Sequence, residues 1–351
     1  NYINLNEIDI GSDYYSSEEV FQKICQYIYT ELNDDAKFDK KVYHVMVDKG
    51  TISGREICLL LFDQGVLKKN QTTYTKIQTG MISPYSFLKS KIRSLAISPG
   101  ELGLTPCAAS VVVTSVKTGK VLAMVSYPSY DNNKFSNTVD ADYYAKVSTS
   151  SASMLLNRAT MQKTAPGSTF KMVTATTALE EGVITPGSTV HDNVQFTKIN
   201  KPWPKCWSTY SHGTINVSQA IQHSCNYFFY EVGRRMGINK LDEYAKKFGL
   251  GEKTGIELDE EVAGHMASPE YKKEVVASAT DREWFGGDTL QAAIGQSYSL
   301  FTPIQLANYA ATIANGGTRY KVNLIKSVRS SVDGGVVKEF NPEVVEKVDM
   351  D

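Results

Sequence analysis

Of the 351 residues only five are cysteine, at positions 25, 58, 107, 206 and 225. That number is odd and the spacing is scattered, which excludes a small domain held together by a disulfide framework. Charge of one sign is also missing. With 37 Lys+Arg against 38 Asp+Glu, the net charge of −1 lacks the basic excess that neutralises phosphates, so nucleic acid is not an expected partner. Long apolar runs are absent too. Stretches such as Ile57-Cys58-Leu59-Leu60-Leu61-Phe62 fall far short of the roughly 20 residues of a membrane-spanning helix. The opening Asn1-Tyr2-Ile3-Asn4 has neither the basic start nor the apolar core of a secretory signal. No internal repeat or low-complexity tract is visible. What is present is 42% hydrophobic residues, too many for general disorder. The length fits two folded units at roughly 100–200 residues each.

The first hundred residues read as mixed α and β. Ser16 and Glu19 are spaced as a capping box, and Val20, Phe21, Ile24, Ile28 and Leu32 recur at helical intervals, predicting a helix over 17–33. Val42 to Val47 alternates as a short strand, and further helices are expected over 54–66 and 85–95. None of this stretch carries visible chemistry, and His44 reads as a strand histidine. The texture changes near Ile97-Ser98-Pro99-Gly100. From Ala108 two β-rich runs flank Lys117-Thr118-Gly119-Lys120 and predict a hairpin. Residues 127–151 read as a surface loop with a little helix. Helical patterns then dominate at 168–181, about 216–236, 239–248 and 303–315. The expected fold is α+β, with helices packed on an antiparallel sheet. The expected domains are 1–96 and 97–351.

Thr164-Ala165-Pro166-Gly167-Ser168-Thr169-Phe170-Lys171 is the most informative stretch. Pro166 and Gly167 stop any preceding element, placing Ser168 at the first turn of a helix that ends near Gly182. Lys171, three residues on, falls on the same helical face. A serine hydroxyl is a weak nucleophile unless a neighbour takes its proton, and a desolvated lysine can do so. The helix N-terminus adds backbone N–H groups where an oxyanion would form. Alone, S-x-x-K occurs by chance in many helices. It is strengthened by Ser224-Cys225-Asn226, 56 positions further on, which offers a hydroxyl for proton relay and an amide for a substrate peptide. The bland reading of that triplet is a polar helix junction.

The two motifs in this order resemble the penicillin-binding protein set, S-x-x-K followed by an S-D-N-like triplet. The segment 97–319 is similar to the transpeptidase domain of class B penicillin-binding proteins. Further resemblance lies in the hairpin Val116–Asp131, in Ala293-Ile294-Gly295-Gln296-Ser297, in Thr302–Ala307 and in Ala314–Gly317. His212-Gly213-Thr214-Ile215-Asn216-Val217 resembles the elongation-type branch. The resemblance implies an α+β penicillin-binding transpeptidase fold, with residues 1–96 as a non-catalytic pedestal of mixed α/β structure. It also implies acyl transfer on the D-Ala-D-Ala end of peptidoglycan stem peptides, with β-lactams acylating the same serine. Ser168 would be the nucleophile, Lys171 the general base, Ser224 the proton donor to the leaving amine and Asn226 the substrate-positioning amide. The protein would work outside the cytoplasm on a membrane anchor, beside cell-wall glycosyltransferase and morphogenesis membrane proteins, without an organic cofactor. Rival readings are a serine β-lactamase or penicillin sensor, a D,D-carboxypeptidase, and a non-catalytic cell-wall scaffold.

The family's third motif, K-T-G on a strand edge, is expected beyond Asp351. The string Lys117-Thr118-Gly119 is the hairpin turn, and Lys253-Thr254-Gly255 resembles a structural family segment. A metal site is also suggested. Cys206, His212 and Cys225 lie within one stretch of 20 residues, with Asp192, His191 and His223 near them. Two Cys, one His and a fourth donor form a normal closed zinc set. The alternatives from the residues are Cys225 as a small apolar filler with Cys206 in a loop, and a Cys206–Cys225 disulfide in an oxidising compartment. Resemblance to elongation-type relatives maps the zinc donors onto Asp192, Cys206, His212 and Cys225, with His223 as the rival for the fourth place. His265 is expected to be a solvated loop residue.

Overall fold

The computed structural model describes residues 15–32, 35–97, 102, 107–150 and 152–350. The change of texture expected at 97–100 falls mainly outside these residues. The chain divides into two compact units, 1–107 with 149–152, and 108–148 with 153–351.

Among the described residues of the first unit the long regular elements are all helices: α1 (Ser17–Leu32), α2 (Ala36–Asp48), α3 (Gly54–Asp63), α4 (Gln71–Gln78) and α5 (Pro84–Arg93). The strand expected at Val42–Val47 is part of α2, so the expected mixed α/β character is not found there. The half-buried residues Tyr43, Met46 and Val47 lie at i, i+3 and i+4, the spacing of one helical face. That face outweighs the β-propensity of Val, Tyr and Val. Helix α3 starts on a full capping box from Ser53 and Glu56. Its buried Cys58, Leu61 and Phe62 meet Ile77 of α4 and Phe87 of α5. Phe62 touches both Tyr74 and Phe87 with ring centroids 6.0 and 5.7 Å apart.

In the second unit the expected hairpin is β1 (Ala109–Thr114) paired antiparallel with β2 (Val121–Tyr127). Its turn closes with Gly119 N–H donating to Ser115 O. Gly119 sits at φ +69, where a Cβ would lie 2.4 Å from Lys321 O. The remaining elements are α6 (Ala141–Ser148), α7 (Arg158–Met161), α8 (Lys171–Glu180), β3 (Thr189–Asp192), β4 (Gly213–Asn216), α9 (Val217–Gln222), α10 (Asn226–Met236), α11 (Ile238–Lys247), α12 (Pro269–Val275), α13 (Gly286–Ala293), α14 (Pro303–Ala314), β5 (Thr318–Tyr320), β6 (Ser327–Arg329), β7 (Val336–Glu339) and β8 (Val344–Lys347). The ladders β3–β4, β5–β8 and β6–β7 are likewise antiparallel, as an α+β fold requires.

Helix α8 is the centre of this unit. Ala175 and Ala178 pack into a cluster with Phe196, Tyr227, Phe228, Phe229 and Leu290. Phe170 and Val173 pack into a second cluster with Leu241, Phe248, Phe301 and Tyr309. Full burial of a Val or Phe side chain stabilises by roughly 1.5–3 kcal/mol, and the two clusters hold α8 from two sides. No described helix is long and apolar enough to cross a membrane.

Candidate active site and its neighbouring four-donor centre

The chain reaches Ser168 through Pro166 and a single 3₁₀ turn, Gly167–Phe170, after which α8 begins at Lys171. Gly167 N–H donates to Gly295 O at 2.9 Å, and Tyr309 Oη–H donates to Thr169 O at 2.5 Å. A Cβ on Gly295 would stand 2.2 Å from Gly167 O, so only glycine lets the two backbones meet. The nucleophile turn is thus clamped by the Ala293–Ser297 segment. Ser168 is exposed while Lys171 is buried.

The helix expected over 216–236 is broken. Helix α9 ends at Gln222, α10 starts at Asn226, and Ser224 between them takes φ +49, the left-handed region that side chains rarely adopt. This break turns Ser224 and Asn226 toward α8. Ser224 Oγ–H donates to Ser168 Oγ at 2.9 Å. Lys171 Nζ donates to Ser224 Oγ at 3.1 Å, Ser224 O at 2.8 Å and Asn226 Oδ1 at 2.6 Å. All four motif residues therefore meet, with one difference from the expected pairing. The hydrogen bonds of Lys171 go to Ser224 and Asn226, and Ser224 stands between the lysine and Ser168. Burial pushes the Lys171 ammonium down from 10.5 to about 8, although negative charge on Cys206 and Cys225 works the other way.

Cys225 points to the opposite side. Its thiol donates to Asp192 Oδ2 at 3.6 Å, and Cys206 Sγ lies 4.0 Å from it. His212 Nδ1 lies 2.6 Å from Asp192 Oδ2 and 3.9 Å from Cys206 Sγ. The ligand atoms of Asp192, Cys206, His212 and Cys225 all fall within 4.8 Å of one another. Asp192 and both cysteines are buried. Burial raises the Asp192 carboxyl, but the His212 and Val194 amides, the His212 ring and the Cys225 thiol together hold it below its ordinary value. The thiol of Cys225 likewise stabilises a Cys206 thiolate, drawing Cys206 down and pushing Cys225 up. The fourth donor here is Asp192. His223 is stacked on the His212 ring, centroids 5.5 Å apart, and is outside the set. His191 bonds Thr214.

Three other expectations can be placed. Lys117-Thr118-Gly119 is the β1–β2 turn, and Thr254 is fastened to Glu261 through its N–H and Oγ1, so neither K-T-G string borders Ser168. His265, expected to be solvated, lies 2.9 Å from Lys163 Nζ and stacks on Tyr271 at 4.3 Å. Sequence reasoning missed Trp207, whose indole N–H donates to Ser224 O at 3.0 Å and His223 O at 3.2 Å. The only signal was its place directly after Cys206.

The family model for the penicillin binding protein transpeptidase domain matches residues 109–351. The chain is 37% identical over 236 residues to the peptidoglycan D,D-transpeptidase MrdA of Escherichia coli K12, covering 67% of this chain and 36% of that protein. It therefore spans about a third of the length of this curated relative. Among solved structures it is similar to Pseudomonas aeruginosa PBP2 in complex with WCK 5153, with 34% identity, TM-score 0.60, and coverage of 69% of this chain and 53% of that one. It is also similar to PBP2 of Helicobacter pylori in complex with MreC, with 30% identity, TM-score 0.56, and coverage of 64% and 40%.

Proposed function

The chain belongs to the penicillin-binding protein transpeptidase family, of the class B, PBP2-like kind, and from that premise we propose that it catalyses peptidoglycan D,D-transpeptidation through an ester on Ser168. The observation that carries this reading is the unbroken chain Ser168–Ser224–Lys171, with links of 2.9 and 3.1 Å. A neutral amine has two N–H donors and one lone pair. The three partners of Lys171 suit that form, because Ser224 O and Asn226 Oδ1 accept while the Ser224 hydroxyl can rotate to donate. The proton of Ser168 then passes to Ser224 as the Ser224 proton passes to Lys171. Ser168 Oγ bonds to the penultimate D-alanine carbonyl, the D-Ala-D-Ala amide breaks, and Ser224 returns a proton to the departing amine. An amine of a neighbouring stem peptide displaces Ser168 and completes the cross-link. Asn226 orders Lys171 and positions the substrate peptide.

Asp192, Cys206, His212 and Cys225 suit a zinc ion. The set of two thiols, one imidazole and one carboxylate is a normal structural one, and its ligand atoms all lie within 4.8 Å of one another. With all four places taken by protein atoms, the metal would supply charge neutralisation and a cross-link between the 192–212 segment and Cys225. The catalytic steps belong to Ser168, Ser224 and Lys171.

The substrate lies in the cell wall, so the reading places the protein on the outer side of a membrane anchor. The H. pylori relative assembles with MreC, which supports a partner among membrane proteins of cell-wall growth. Residues 1–96 are then a pedestal for such contacts.

Incubation of the intact native protein with labelled penicillin, followed by mass spectrometry, tests the reading. A long-lived adduct on the Ser168 peptide that Ser168→Ala removes is expected. Absence of any adduct would overturn it. Rapid release of hydrolysed penicillin would reassign the site to a β-lactamase, and stem-peptide trimming without cross-linking would reassign it to a carboxypeptidase.

A further inference from the structure

Trp207 is 65% exposed, yet its indole N–H is committed to two backbone carbonyls of the catalytic junction, Ser224 O at 3.0 Å and His223 O at 3.2 Å. It follows Cys206 directly, and its ring lies 5.9 Å from that of His212, which stacks on His223. The carbonyl it holds is the one that Lys171 Nζ also bonds, at 2.8 Å. Ser224 needs such support, since φ +49 is a conformation a serine does not keep without surroundings that impose it. Two donors on one carbonyl fix the plane of the Ser224–Cys225 peptide. That plane sets the direction of the Ser224 side chain, and so the 2.9 Å contact between Ser224 Oγ and Ser168 Oγ.

The two donors are unlike. Lys171 exchanges hydrogen bonds as it accepts and returns a proton, whereas an indole N–H keeps its proton throughout. We propose that Trp207 is a positioning residue for acyl transfer. It acts through the Ser224 carbonyl to hold the relay hydroxyl against Ser168 while Lys171 changes partners. This rests on the reading of Ser168 as the acylated nucleophile and adds a role for a residue outside the four motif positions. It also gives the four-donor centre a route to catalysis, because Cys206 places the tryptophan.

The test is the Trp207→Phe variant of the intact native protein, which keeps an aromatic ring against His212 and deletes the N–H. Acylation by a fluorescent penicillin is resolved into an initial dissociation constant and an acylation rate constant, with thermal midpoint and zinc content measured alongside. A displacement of about 1 Å at a reacting group costs up to about 100-fold, so the acylation rate constant is expected to fall roughly 10- to 100-fold. The dissociation constant and zinc content should be unchanged. An acylation rate constant within about twofold of the wild type overturns the proposal. If the phenylalanine variant loses zinc or melts early, benzothienylalanine at position 207 decides. It has the shape of tryptophan with sulfur in place of N–H, and wild-type kinetics in that protein overturn the proposal equally. Failure of the wild-type protein to form any adduct would fall on the Ser168 reading itself and remove this one with it. An acylated wild type beside an equally fast variant rejects the tryptophan alone.

Discussion

Three consecutive residues serve two centres of opposite character. Ser224 and Asn226 face an exposed nucleophile and a buried lysine, joined by hydrogen bonds of 2.6–3.1 Å. Cys225 between them faces Asp192, Cys206 and His212, a set in which only His212 is not fully buried. On the proposed reading the first centre exchanges protons, and one of its hydroxyls, that of Ser168, is exposed. On the same reading the second passes no proton and acts as a cross-link. Because the left-handed Ser224 joins the two, rigidity in one can be spent on alignment in the other. Separating the centres by mutation shows whether they do different jobs.

The largest effect is expected at the nucleophile. Ser168→Ala should abolish the penicillin adduct, with acylation falling by at least about 10³-fold, read by mass spectrometry of the labelled peptide. Lys171→Met comes next, with a loss of roughly 10²–10⁴-fold typical of removing a general base, read from the acylation rate constant. The thermal midpoint should hold or rise, since an ion is taken out of the interior. A lysine variant that acylates within about tenfold of wild type would remove the relay.

Cys225→Ser probes the other centre with less collateral change than most substitutions. Cys225 caps α10, its sulfur accepting the Phe228 N–H at 3.5 Å, and serine is a better N-cap. What the variant loses is therefore the thiolate. Zinc content should drop from near one per chain toward zero, and the thermal midpoint should fall by roughly 5–10 °C. Acylation should fall about tenfold or less. A folded Cys225→Ser protein as slow as Lys171→Met would mean that the metal centre takes part in the chemistry. An unchanged zinc content would remove the metal.

That Ser168, Lys171, Ser224 and Asn226 come together was legible in the sequence, because the candidate site sits in short local spacings. Ser168 and Lys171 share one turn, and Ser224 and Asn226 flank one residue. The order of links was not readable. Whether Lys171 bonds Ser168 directly or through Ser224 depends on the backbone break at Ser224, which a continuous helical pattern over 216–236 concealed. The four donors were assembled by resemblance rather than by spacing, since Asp192 and Cys206 meet only when the β3–β4 pairing folds the segment between them. Helix α2 was misread because Val42, Val45 and Val47 carry β-propensity, while the face that decides the matter is set by Tyr43, Met46 and Val47. Helix α4, Gln-Thr-Thr-Tyr-Thr-Lys-Ile-Gln, has a weak apolar stripe and only one fully buried residue, Ile77. Its packing on Phe62 comes from tertiary contact.

The smallest effect expected is a pH dependence that belongs to the lysine side alone. Burial holds Lys171 near 8 in the folded protein against 10.5 for a free lysine. Between those values the unfolded chain binds a proton that the folded chain has released, so stability rises with pH across this window. Below about 8 both states hold the proton, the cost of the buried charge is present in full, and the contribution is flat. The slope for one group cannot exceed about 1.4 kcal/mol per pH unit. It should appear as the difference between wild-type and Lys171→Met unfolding free energies measured from pH 7 to 10. The acylation rate constant should rise over the lower part of the same range, half-maximal near pH 8, because only the neutral amine can accept the relay proton. Cys225→Ser should leave the midpoint of that rate profile within about half a unit, since it leaves in place the burial that dominates the Lys171 shift. A rate midpoint that instead moves with the cysteine would make the electrostatics of the two centres one system, and the comparison between them would have to be redrawn.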